Sequence, residues 1–190
     1  MNVPPRTHPD PDAGPSSPAA LALQVVAALG ARQETLATAE SLTGGLLGAT
    51  ITGVPGASAI YRGGVIPYAT ELKATLAGVS TATLASDGPV AASTAAQLAE
   101  GTARACGADW GLATTGVAGP DSQDGHPVGQ VFIAVASCRP GTETASAAWP
   151  GAEVGVRELR LAGDRAAIRT QTVAAVLALL LESLNLPGAS

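Results

Sequence analysis

Short apolar runs fit for buried strands alternate along this 190-residue chain with segments of helical period, and that alternation restricts it to α/β layering. The strand-like runs cover residues 35–39, 62–68, 110–115 and 130–137, with 142–149 and 154–161 as two further edge candidates. Pro67 removes a ladder donor, which places the second run at a sheet edge or a strand end. The helical segments are 17–31, 46–51, 70–77, 81–85 and 91–106. A long last helix, 164–184, is opened by Gly163 and capped by Asp164.

Composition limits what fills the space between these layers. The apolar fraction is 46%, yet aromatics make up only 3%, so the core is expected to be small aliphatic side chains under closely packed helices. A chain of this length buries a sizeable core without staples, and no internal repeat or change of composition divides it. One domain is expected over 19–187, behind a disordered Pro- and Asp-rich tail at 1–18 that contains no secretory signal. The longest strongly apolar run, 173–181, is about half of what a membrane helix needs, so it is read as a buried helix and no membrane partner is expected. Cytoplasmic location follows by default.

Charge and ligand inventory exclude several functions. A net charge of -5 with no basic cluster argues against a nucleic-acid partner, although a small anion could bind locally. Cys106 and Cys138 lie far apart without a CxxC spacing, as in a reduced intracellular protein, and His8 and His126 are solitary. No metal is expected from these residues. The Gly-rich stretches lack GxGxxG and Walker A patterns, and no cofactor is expected.

The stretch TAESLTGGLL at 38–47 reads as a strand, a tight turn and the start of a helix near Thr43. Ser41 falls in the turn, where the free N–H groups and positive dipole end of the helix would suit a nucleophile or an anion. A plain helix N-cap is the alternative. Tyr68 and Lys73 follow in YATELK, at the end of a strand and the first turns of a helix. A lysine held at the core's edge beside Ser41 loses its proton readily and can act as general base, a known route to amide hydrolysis without histidine. The alternative is a solvated Lys73 paired with Glu71 or Asp87.

Two further groups suggest where a substrate lies. TTGVAGP at 114–120 closes a central strand, and glycines there let backbone N–H groups approach a ligand in the crevice beyond the sheet; a simple tight turn is the alternative. Arg165 and Arg169 stand four apart in the opening turns of the last helix, where cations oppose the macrodipole unless an anion sits against them. That anion is a bound phosphate or carboxylate, or else Glu158 or Glu153.

As a set these residues resemble the CinA C-terminal domain family, which includes stand-alone nicotinamide mononucleotide deamidases. The resemblance is carried by AESLTGG at 39–45, YRGGVIPYATELKATLAGV at 61–79, GPVAASTAAQLAEG at 88–101, TTGVAGPD at 114–121, HPVGQVFIAVA at 126–136 and GDRAAIRTQTV at 163–173. It implies a three-layer α/β/α sandwich with a mixed central sheet, and hydrolysis of nicotinamide mononucleotide to nicotinate mononucleotide and ammonia. It also implies Ser41 as nucleophile, Lys73 as its base and Tyr68 as a hydroxyl that relays or orients the proton. The N–H groups of Thr43, Gly44 and Gly45 would meet the oxyanion. Thr115, Gly116, Ala118 and Gly119 would line the ribose and phosphate, with Arg165 or Arg169 on the phosphate.

Three stretches depart from the family pattern. Leu42 stands where Cys is common, VIPYAT replaces the more usual VTYSN, and residues 122–125 replace a Gly-Gly. Pro67 and Thr70 thereby take away side chains that could touch substrate or orient Lys73. The other function the resemblance allows is a non-catalytic domain that binds a nucleotide or a protein. A homodimer is compatible with either. No N-terminal CinA-type domain is recognised in the chain, so it is expected to act alone or through partners.

Overall fold

A computed structural model describes residues 17–138, 145–146, 149–150 and 153–185 of the chain. The expected tail lies outside them up to residue 16, as does most of the 142–149 edge candidate. Of that candidate, Ala145–Ser146 (β5) pairs antiparallel with Trp149–Pro150 (β6), which extends one residue beyond it.

Five other strands form one mixed sheet, in the order Tyr61–Val65, Leu36–Glu40, Trp110–Gly116, Gln130–Ser137 and Glu153–Arg160. Leu36–Glu40 (β1) runs parallel to Tyr61–Val65 (β2) on one side and to Trp110–Gly116 (β3) on the other. Gln130–Ser137 (β4) pairs antiparallel with β3, and Glu153–Arg160 (β7) antiparallel with β4. Strand β2 is an edge, but it ends at Val65 and includes neither Pro67 nor Tyr68. A proline has no N–H for a ladder and also restricts the residue before it.

Helices cover both faces. Pro18–Arg32 (α1), Leu46–Thr52 (α2) and Arg165–Leu184 (α6) pack over one face with the larger aliphatics Leu36, Leu112, Val131, Ile133 and Val135. Thr70–Ala77 (α3), Thr81–Ser86 (α4) and Ala92–Cys106 (α5) cover the other. There the sheet offers Ala39, Ala113, Ala134 and Ala136, and α5 offers Ala95 and Ala99. Alternation along β1, β3 and β4 thus sends most of the bulk to one face and mainly alanines to the other, with Phe132 as the large residue on the second. The small face brings α5 close: a Cβ on Gly111 would collide with the backbone of Ala99. Low aromatic content is therefore matched by short interlayer distances rather than by voids.

Helix α6 is long and apolar enough to cross a membrane by length and composition, counting beyond the 173–181 run read from the sequence. Its residues Ile168, Val173, Val176, Leu177, Leu180 and Leu184 are instead buried in the core against α1 and the sheet. The Asp164 side chain caps it, accepting from the Ala167 N–H at 2.8 Å.

Candidate active site

The three parallel strands β2, β1 and β3 all finish on the same side of the sheet, and the segments leaving them build one pocket. This is the crevice beyond the carboxyl ends of strands in which an open α/β sheet holds ligands. Ser41 leaves β1, Tyr68 and Lys73 follow β2, and Thr115 to Gly119 close β3; Arg165 reaches in from the start of α6.

Lys73 is not a solvated residue. It is 2% exposed, and Asp87, a partner it would need at the surface, bonds Ser86 and Ser93 instead. Its Nζ donates to Ser41 Oγ at 3.0 Å and to the carbonyl of Pro67 at 2.9 Å. Burial disfavours the ammonium and lowers its pKa to about 8. Pro67, which brings no polar side chain, thus orients Lys73 through its backbone carbonyl. The ammonium's neutral form has its lone pair within reach of the Ser41 proton, the arrangement that turns a hydroxyl into a nucleophile.

The turn after Ser41 differs from the expected helix start near Thr43. Residues 41–45 form a turn, and α2 begins only at Leu46, with Gly45 at φ 94°, a left-handed conformation open to glycine. The N-terminus of α2 does not await an external anion. Buried Glu40 occupies it, accepting from the N–H groups of Gly45 at 3.0 Å, Leu47 at 2.9 Å and Gly48 at 2.7 Å. The Gly44 N–H is also engaged, donating to the Ser41 carbonyl at 3.1 Å. Of Thr43, Gly44 and Gly45, only Thr43 keeps an N–H that no bond takes up among the described residues. The N–H of Leu42 is in the same state, and Leu42 is on the pocket wall.

The two arginines have separate places. Arg165 lines the pocket, donating to the Gly119 carbonyl at 2.8 Å and to the Tyr68 hydroxyl at 2.9 Å. Arg169 faces the Ser41 turn, where Nε donates to the Leu42 carbonyl at 3.1 Å and Nη2 to the Thr43 carbonyl at 2.5 Å. Glu158, a possible partner by sequence, pairs with Arg160 at 2.6 Å. Tyr68 is 58% exposed at the pocket's edge, its oxygen bound by Arg165 and its own proton free to donate. Thr43 lies behind the pocket, its hydroxyl bonded to that of Thr114 at 2.8 Å, and Thr115 Oγ1 is held by the Pro89 carbonyl at 2.6 Å. Gly116, Ala118 and Gly119 line the pocket.

Sequence reasoning passed over Glu40, which lies five residues before the N-cap Gly45 and reaches the helix start only because the turn at 41–45 folds back. It also passed over Asp121 and Gln123, which line the pocket from the loop after β3. The latter lies in the 122–125 segment, bridged to His126 by reciprocal backbone bonds.

The chain is similar to known proteins. A "CinA-like protein" of Frankia casuarinae is 48% identical over 149 residues, covering 78% of this chain and 31% of that protein. A "Putative competence-damage inducible protein" of Desulforamulus reducens is 45% identical over 143 residues, 75% of this chain and 32% of its own length. The chain therefore spans about a third of the length of these curated relatives. Among solved structures, the competence/damage inducible protein CihA from Agrobacterium tumefaciens superposes with a TM-score of 0.78 at 32% identity, covering 89% of this chain and 96% of that one. A CinA superfamily protein from Escherichia coli gives 0.79 at 28% identity, covering 97% and 99%. Residues 18–184 match the family model described as "CinA C-terminal domain", a span that holds Ser41, Lys73, Arg165 and Arg169. With the mixed sheet and its two helical layers shared by those structures, the chain belongs to the CinA C-terminal domain family.

Proposed function

We propose that this protein is a cytoplasmic nicotinamide-nucleotide amidase, hydrolysing nicotinamide mononucleotide to nicotinate mononucleotide and ammonia in pyridine nucleotide recycling. The observation that carries this reading is the 3.0 Å contact between Ser41 Oγ and a lysine whose burial brings its pKa to about 8. A lysine so tuned is neutral in a useful fraction of molecules near neutral pH.

In the proposed reaction, neutral Lys73 takes the Ser41 proton as Oγ attacks the carboxamide carbon. The tetrahedral intermediate collapses with loss of ammonia, the leaving nitrogen receiving its proton from Lys73, and an ester on Ser41 remains. Water then attacks that ester, giving its proton to Lys73, which returns it to Ser41 Oγ as the acid departs. The Pro67 carbonyl keeps Nζ aimed at Oγ throughout. Oxyanion stabilisation falls to the N–H of Leu42 on the pocket wall, with Thr43 beside it, since Gly44 and Gly45 are engaged elsewhere.

Arg165 is assigned to the substrate phosphate, because it is the arginine on the pocket wall. Tyr68, joined to it, orients the bound substrate with its remaining proton. Asp121 supplies a carboxylate of the sign that complements a pyridinium ring. Hydroxylamine trapping tests the covalent step: a hydroxamate should form at the expense of nicotinate mononucleotide. Turnover without any hydroxamate would instead indicate direct attack by water.

A further inference from the structure

We propose that Arg169 is a positioning residue for the oxyanion donor: it grips the carbonyl side of the Ser41 turn and, through a chain of peptide groups, orients and polarises the Leu42 N–H. The inference rests on the serine amidase reading above and adds a residue that touches no substrate. The bonds form a continuous path. Arg169 Nη2 donates to the Thr43 carbonyl, whose peptide partner is the Gly44 N–H. That N–H donates to the Ser41 carbonyl at 3.1 Å, whose peptide partner is the N–H of Leu42, a residue that lines the pocket. A second bond, Nε to the Leu42 carbonyl at 3.1 Å, fixes the intervening peptide and with it the Thr43 N–H.

Each trans peptide directs its N–H opposite to its C=O, so holding the carbonyls sets the direction of the donors. A cation on a carbonyl draws electron density from the amide and makes its N–H a stronger donor, and successive bonds in a chain reinforce one another. Glu40 completes the arrangement from the other end by consuming the N–H groups of Gly45, Leu47 and Gly48. Negative charge developing on the substrate is thereby met by the Leu42 end of the turn. The guanidinium suits this task because its fork reaches two carbonyls that a lysine's point charge would not hold in plane.

The test compares wild type, Arg169→Lys, Arg169→Ala and Arg157→Ala in two measurements: turnover of nicotinamide mononucleotide, and the rate of Ser41 phosphonylation by a fluorophosphonate, which also builds negative oxygen at the attacked centre. Both Arg169 variants should lose about tenfold or more in kcat with KM within about threefold, and lose phosphonylation rate in parallel. Added guanidinium ion should restore part of both rates in Arg169→Ala, a recovery that a misfolded variant would not show. Arg157→Ala, a surface control whose guanidinium pairs with Glu182 away from the pocket, should keep both rates. Unchanged kcat in the Arg169 variants, or a loss confined to KM with normal phosphonylation, would overturn the proposal. If wild type is phosphonylated but leaves nicotinamide mononucleotide intact, the substrate reading fails while the phosphonylation series still decides the role of Arg169. A Ser41 that never reacts overturns both.

Discussion

Lys73 and Ala77 stand one turn apart on the buried face of α3, and the two contacts they make set where the lysine amine lies: Lys73 meets Ser41, while Ala77 abuts Gly101 of α5. A Cβ at position 101 would run into the backbone of Ala77, so the glycine is what lets α3 settle against α5. Gly101→Ala is expected to destabilise the protein by roughly 1–3 kcal/mol and to draw Lys73 away from Ser41. Urea denaturation measures the first effect and kcat of the folded variant the second. Wild-type stability and rate would show that the helices do not depend on this approach.

The lowered Lys73 pKa predicts a pH–rate profile. Only the neutral amine accepts a proton, so kcat/KM should rise about tenfold per pH unit below about pH 8 and level off above it. The profile is measured on the free enzyme at low substrate. A flat response between pH 6 and 9 would remove Lys73 from the base role.

The same group makes stability depend on pH. The unfolded lysine keeps its ordinary value of 10.5, whereas the folded one titrates at about 8. Below about pH 8 both states are protonated and the cost of burying the charge is present in full. Between about 8 and 10.5 the unfolded state binds more protons, so wild-type stability rises with pH relative to Lys73→Met, which lacks the titration. Chemical denaturation of both proteins across that window checks the sign. A stability difference that is constant over it would contradict the shift.

Glu40 is predicted to matter for folding as well as for the site. Glu40→Ala strips the acceptor from three N–H groups at the start of α2 and should cost about 1–3 kcal/mol. Thermal and urea melts report it. Full stability in the variant would mean that water replaces the carboxylate without penalty.

For substrate recognition, Arg165→Ala should raise KM for nicotinamide mononucleotide by about tenfold while leaving kcat nearly unchanged. Unphosphorylated nicotinamide riboside, tested in parallel, should not respond to the substitution. Equal losses on both compounds would mean that Arg165 does not hold phosphate.

Much of the architecture is legible in the sequence because hydrophobic period and helix signals agree along it. Residues 70–77 are helical as their pattern indicates, and Asp164 caps α6. What the sequence hides is long-range bonding. Ser41 and Lys73 stand 32 positions apart with nothing in the sequence between them that fixes their distance, and the decisive acceptor, the Pro67 carbonyl, belongs to the backbone rather than to a side chain. The turn at 41–45 is misread as a helix start because two glycines with positive φ delay the helix and Glu40 folds back onto it. Arg165 and Arg169 look equivalent by spacing, yet one turn of helix separates a pocket wall from the carbonyls behind the serine. Which groups such residues meet is decided by packing and not by their spacing in the sequence.

The most direct measurement is ammonia release from nicotinamide mononucleotide by the purified protein in the presence of EDTA, beside Ser41→Ala and Lys73→Ala. The Ser41–Lys73 mechanism predicts turnover by wild type and a loss of at least about a thousandfold in each variant with folding retained. Turnover that survives either substitution, or none from folded wild type, would contradict it.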